Sequence, residues 1–279
     1  MQCPNATRSF LFNSTPISDF MISDFTPIIH KLDGRTIKVW AVGDVHIGAR
    51  ESDLDGFSAF LRRIQADEDS YMVICGDLLN NSVRSSVSDV YAETMSPSQA
   101  VDYAVSILQP VADRILGVVG GNHERRSRKE VDLDPLYAVC SMLRRKDGTT
   151  LQDVYRPNMA FLRVILRNGN THDQYAIMLT HGKTLNKRKQ FVNVVEGIDA
   201  AITAHTHTPD VLMPSRIRLT QKNRVIVHDV FSLCACSWLE PGGYSLSGLY
   251  LPQATSRPQC LVLEYTASNN RRGEIRVSW

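Results

Sequence analysis

The chain has 279 residues, 43% of them hydrophobic, and 31 Lys and Arg against 29 Asp and Glu give a net charge of +2. This is the composition of a globular protein with a substantial core, and it excludes a disordered or low-complexity chain. The near-neutral balance gives no whole-protein signal for a nucleic-acid partner, and no apolar run approaches the ~18 residues of a membrane-spanning helix.

Residues 1–33 show no clear period. ISDF occurs at 17–20 and again at 22–25, but two copies of four residues do not make a repeat architecture. The expectation is an N-terminal arm or packing extension ahead of a single domain over 34–279. The first twenty residues lack a small-residue cleavage site and make a poor signal peptide. The six cysteines are scattered and form no CxxC pair. That suits a reducing cytoplasm, with no zinc or disulfide framework.

From Thr36 the pattern turns to alternating strands and helices. TIKVWAV is a β-rich apolar run. Leu54, Phe57, Leu61 and Ile64 then share one helical face. YMVIC reads as a second buried strand. Ser96-Pro97-Ser98-Gln99 predicts a helix start, with Ser at the N-cap, Pro at N1 and Gln at N3 of a capping box. Pro110 kinks that helix or begins another. ILGVV is a third strand, and Leu133, Leu136, Val139, Cys140 and Leu143 predict a helix over 132–145. The second half is richer in strands: FLRVILR, YAIMLT, AAITA, RVIVHDVFSL, QCLVLEY and EIRVSW. Helices early and strands late predict a two-sheet α/β sandwich, not a doubly wound sheet.

Five of these runs end on side chains of metal-ligand type. In order they are Asp44 and His46, Asp77, Asn122, His181, and His205 with His207. In α/β folds ligands bind beyond the carboxyl ends of the strands. Residues i and i+2 of an extended backbone point the same way, so Asp44 and His46 can grip one ion. The Asp77 carboxylate has two oxygens and can bridge two. Mixed nitrogen and oxygen ligands suit manganese, iron, zinc or similar ions and argue against a calcium cage. Each pair alone is weak evidence, and the ordered set of seven is strong. Arg125, Arg126, Arg128 and Lys129 follow Asn122, and Lys183, Lys187, Arg188 and Lys189 follow His181. These runs are either a solvated basic face or a positive rim for a phosphate-rich substrate. His30, His172 and His228 fit no motif.

The set GDVHIG, GDLLNN, GGNHE, LTHG and AHTH resembles the calcineurin-like metallophosphoesterases. That family spans protein phosphatases, purple acid phosphatases, cyclic-nucleotide phosphodiesterases and the SbcD-type nucleases. The motifs cover roughly residues 38–210, and SWLEPGGY near the end is similar to phage or prophage phosphoesterases. The resemblance implies an α/β/β/α sandwich holding two divalent metals, Mn2+ first, with Fe, Zn, Ni or Co as alternatives. It implies Asp44, His46 and His207 on one metal, Asn122, His181 and His205 on the other, and Asp77 between them. A metal-bridging hydroxide would attack phosphorus in line. His123 would act as general acid on the leaving oxygen, and Arg125 and Arg126 would steady the phosphate.

Two positions depart from the family pattern. Asn80 stands where some members carry an acidic partner for the catalytic His, and Ala204 replaces Gly in the GHxH motif. The function expected is phosphodiester hydrolysis, with nucleic acid (DNA or RNA) or a nucleotide as substrate. The location expected is the cytoplasm of a bacterium or phage-infected host, with no membrane association. The alternatives are a phosphomonoesterase, or a non-catalytic protein-binding module on the same fold.

Overall fold

The computed structural model describes residues 25–84, 86, 90–184, 192–219, 223–240, 242, 258–266 and 273–279. Two six-stranded sheets face each other. In the first, β2 (Thr36–Val42), β3 (Ser70–Cys75), β4 (Ile115–Val119) and β5 (Tyr155–Arg156) run parallel, and β13 (Cys260–Glu264) and β14 (Glu274–Ser278) extend it antiparallel beyond β2. In the second, the order is β1 (Ile28–Asp33), β6 (Met159–Asn168), β7 (Thr171–Thr180), β8 (Ala200–Thr203), β12 (Phe231–Cys234) and β9 (Asp210–Leu212). A separate hairpin, β10 (Ser215–Leu219) with β11 (Val225–Asp229), completes the strands.

β4 is buried throughout and β2 nearly so. That is why both read as unbroken apolar runs, as expected for parallel strands covered on two faces. β6 instead alternates, with Ala160, Leu162, Val164 and Leu166 turned inward. The sheets meet closely at Gly117, where a Cβ would come within 2.8 Å of Leu179 and 3.0 Å of Leu162.

Helices cover the outside. α1 (Leu54–Ala66) buries Phe57, Phe60, Leu61 and Ile64. α2 (Pro97–Leu108) starts at the expected capping box, with the Ser96 side chain and Gln99 reciprocally bonded. Pro110 ends it in a 3-10 turn over Gln109–Arg114. On the second sheet, the described residues supply one helical turn at 192–194, where Val192 packs with Met178 and Ala201. The two-sheet sandwich flanked by helices is thus the architecture expected.

Three expectations need correction. Residues 28–33, assigned from sequence to the N-terminal extension, form β1 and pair with β6. Residues 1–24, including the ISDF pair, lie outside the described residues. RVIVHDVFSL is two strands, because the chain leaves the hairpin at Val230 and enters the second sheet. The helix expected over 132–145 spans only Pro135–Met142 (α4). Asp134 caps it through backbone N–H groups of Leu136 and Tyr137, which leaves Leu133 outside and exposed. A further helix, α3 (Glu124–Val131), precedes it and holds the basic run after Asn122.

Candidate metal centre at the strand ends

All seven predicted ligands converge beyond the carboxyl ends of β2, β3, β4, β7 and β8. Asp44, His46 and Asp77 are buried, as is His181, and Asn122, His205 and His207 line the partly open side. Two glycines allow the approach. A Cβ on Gly121 would lie 2.0 Å from Asp77 Oδ1, and Gly76 takes φ +84 with Gly121 directly against it. The Ala204 departure is accommodated in the same way. Its Cβ sits where a Cβ on Gly43 would come within 2.6 Å, so the bare Gly43 makes the room.

Hydrogen bonds orient each side chain. His181 Nδ1 donates to Cys75 O at 2.7 Å. Its Nε2 therefore faces Asn122 Oδ1 at 2.9 Å, His205 Nδ1 at 3.1 Å and Asp77 Oδ2 at 3.2 Å. On the other side, His46 Nε2 and His207 Nε2 lie 3.4 Å apart. Asp44 Oδ1 is 3.4 Å from His207 Nε2 and 3.9 Å from His46 Nε2. That oxygen is fully buried and has no hydrogen-bond partner. The other Asp44 oxygen accepts from the His205 backbone at 2.7 Å.

Burial depresses the His46 imidazole, with the nearby His123 adding to it, to about 3. Burial would depress His181 too, but the Asp77 carboxylate overrides it and holds that imidazole up to about 9. Burial works to raise Asp77, yet His181, His123 and His46 together hold its carboxyl well below the usual range.

These observations test whether divalent cations suit the site. Imidazole nitrogens that face each other at 3.4 Å are poor partners, and the buried Asp44 oxygen has no hydrogen bond; a cation satisfies both. Three clusters have ligand atoms within 4.8 Å of one another: Asp44, His46 and His207; His46, Asp77 and His123; and Asp77, His181 and His205. The residues fit.

His123 is held at both ring nitrogens. Its Nδ1 bonds the backbone carbonyl of Asn80 at 2.7 Å, and Arg126 Nη2 lies 2.9 Å from its Nε2. A guanidinium only donates, so Nε2 accepts and holds no proton for a leaving group in this arrangement. The Asn80 side chain turns to His46 instead, with Oδ1 3.2 Å from Nδ1. Arg126 also donates to Asn80 O at 3.2 Å. Arg125 is half-buried, Arg128, Lys129 and Lys183 are exposed, and Lys187, Arg188 and Lys189 lie outside the described residues.

Sequence inspection passed over Glu124. It is fully buried, and its carboxylate accepts the backbone N–H groups of Asp77 (3.1 Å), Leu79 (3.0 Å) and Gly121 (2.9 Å). One side chain thereby ties the loop after β3 to the loop after β4. Burial, reinforced by the Asp77 charge, pushes its carboxyl up to about 7. Its signal was present in GGNHE, as an acid at the first position of α3, where the helix dipole favours it. The motif SWLEPGGY also reaches the site. Trp238 packs on Phe57 and Phe60, and its backbone N–H donates to Asp44 O at 3.0 Å.

Solved structures with similarity to the chain include Vps29 of Chaetomium thermophilum, 11% identical, covering 87% of this chain and 96% of that one at a TM-score of 0.35. GAP50, the anchor in the inner membrane complex of Plasmodium, is 8% identical over 83% and 82% with a TM-score of 0.44. A Mycoplasma pneumoniae phosphatase is 10% identical over 87% and 92%, at 0.38. No curated protein matches the chain. The family model for calcineurin-like phosphoesterases matches residues 37–209, which holds β2 through β8 and every one of the converging side chains. The chain belongs to the calcineurin-like phosphoesterase family.

Proposed function

We propose that the chain is a phosphodiesterase dependent on two divalent metals, Mn2+ first among them, with nucleic acid or a nucleotide as its substrate. The observation that carries this is the overlap of the three clusters through His46 and Asp77, with the orphaned Asp44 oxygen at one end. Asp44, His46 and His207 would hold one ion, Asn122, His181 and His205 the other, and Asp77 both. When bound, the pair supplies positive charge to the phosphoryl oxygens and acidifies an attacking water.

The chain's own residues do the rest. Arg126 is the phosphate contact. A phosphate oxygen is a stronger, charge-assisted acceptor than a neutral imidazole, so substrate draws the guanidinium off His123. That frees the Nε2 lone pair to take up a proton from solvent and pass it to the leaving oxygen, while Asn80 O keeps the ring oriented through Nδ1. Arg125 in the first turn of α3, and the exposed Arg128, Lys129 and Lys183 beyond it, support a substrate with more than one phosphate. No helix among the described residues is long and apolar enough to cross a membrane.

The test compares bis(p-nitrophenyl) phosphate with p-nitrophenyl phosphate in Mn2+, with and without chelator. Chelator-sensitive diester cleavage is expected, falling at least ~10^3-fold (about 4 kcal/mol) in Asp77→Ala and His181→Ala. DNA, RNA and nucleotides follow as substrates. A monoester preference would replace this reading with a phosphatase. Bound metal without turnover of any ester would replace it with the protein-binding module.

A further inference from the structure

A chain of buried and half-buried polar groups leads outward from His46. Its far end is Glu93, in the segment after the 3-10 turn Val90–Ala92. That segment is pinned where Thr94 donates to Gly48 O through both its backbone N–H (2.8 Å) and its hydroxyl (3.0 Å). Glu93 Oε1 accepts from the Asn80 amide nitrogen and from Ser82 Oγ. Asn80 is 9% exposed, and its Oδ1 meets His46 Nδ1.

The chemistry of each link fixes the next. An ionised carboxylate only accepts, so Asn80 must turn its NH2 to Glu93. Its oxygen then faces His46, and an amide oxygen also only accepts. His46 Nδ1 therefore carries the proton, and Nε2 keeps its lone pair. That nitrogen is the one directed at His207 Nε2 and Asp44 Oδ1.

We infer that Glu93 is a positioning residue: through Asn80 it fixes His46 as the Nδ1–H tautomer, presenting Nε2 to a divalent cation. Partners of this kind set the tautomer and ring orientation of metal-binding imidazoles. Without Glu93 the amide is free to flip. A flipped amide points NH2 at Nδ1, drives the proton to Nε2 and removes that ligand. The arrangement also accounts for Asn at position 80. A carboxylate there would stand against Glu93 as a like charge, so the acid sits one link further out. The cation in this inference rests on the proposed metal centre, whereas the tautomer does not.

The test uses the whole chain with 15N-labelled histidine. Long-range 1H–15N spectra of the metal-free protein report the His46 tautomer, assigned with His46→Gln, and Mn2+ titration calorimetry reports affinity. Wild type should show Nδ1–H. Glu93→Ala and Asn80→Ala should show a mixture or Nε2–H, with one of two Mn2+ ions bound about 10–100-fold more weakly. Glu93→Gln, whose amide oxygen can still accept from Asn80, should restore the tautomer. Thermal melting of the metal-free variants separates this from misfolding. An unchanged tautomer in both alanine variants, or Nε2–H in wild type, would overturn the relay. A wild type that binds no Mn2+ but keeps the Glu93-dependent tautomer would overturn the metal centre and leave the relay standing.

Discussion

The loops that carry the ligands and the β10–β11 hairpin that follows them are opposites. Eight described non-glycine residues have positive φ, and five are Asp44, His46, Asp77, His205 and His207. Such conformations cost about 1–3 kcal/mol each and persist only where surroundings over-determine them. Here the surroundings do so: Glu124 holds three backbone N–H groups, and Asp44 N and His46 N bond the carbonyls of Gly76 and Asp77. The hairpin has regular strands but leaves Ile217, Leu219, Val225 and Val227 at 67–80% exposure. It is tied down through Arg216 to Val195 O and His228 to Ile198 O. Strain is concentrated where side chains must converge and burial can hold them, while the two strands of the exposed hairpin carry none and only Asn223 beside β11 has positive φ.

The largest test of this contrast is Glu124→Ala. It strands three buried donors, each worth about 1–3 kcal/mol. Denaturant unfolding should show a loss of about 3 kcal/mol or more, and a loss below 1 kcal/mol would mean the loops hold themselves.

Glycine against alanine at one site sharpens the contrast. In metal-free protein, His46→Gly should be more stable than His46→Ala by about 1 kcal/mol, because φ is +53 there. At Ile217, in a regular strand, the order should reverse by about 0.5–1 kcal/mol. Equal ordering at both positions would remove the claim of stored strain.

Two smaller effects lie away from the centre. Lys38 Nζ meets Asp67 Oδ2 at 2.6 Å, with both side chains more than a third exposed. The hydrogen bond between them raises the Lys38 pKa above 10.5 and lowers that of Asp67 below 3.8. The pair's contribution is thus fully present between those values. It fades as pH falls through the folded Asp67 pKa or rises through the folded Lys38 pKa. Solvent screening keeps it under ~1 kcal/mol. Lys38→Met should lower the melting temperature slightly at pH 7 and not at pH 2. Ile217→Ser should change stability by no more than about 0.5 kcal/mol. A larger loss would show that the apolar hairpin face is covered in solution.

Legibility in the sequence followed burial. β2 and β4 were plain because buried faces demand apolar residues throughout. β1 was not, because IIHKLD is a half-buried edge strand with polar residues in its pattern. The hairpin and β12 merged into one apparent strand because periodicity carries no information about which sheet a residue joins.

At the site, the sequence by itself determined which residues stand at the strand ends, since strand, glycine and ligand are local in the chain. Only the tertiary structure decided how they are held. Glu93 reaches Asn80 across 13 residues, and Glu124 reaches Asp77 across 47. The guanidinium of Arg126 settles on His123, and the Asn80 amide turns to His46. Hydrogen-bond partners are chosen by distance and direction in space, and both exist only once the loops have met.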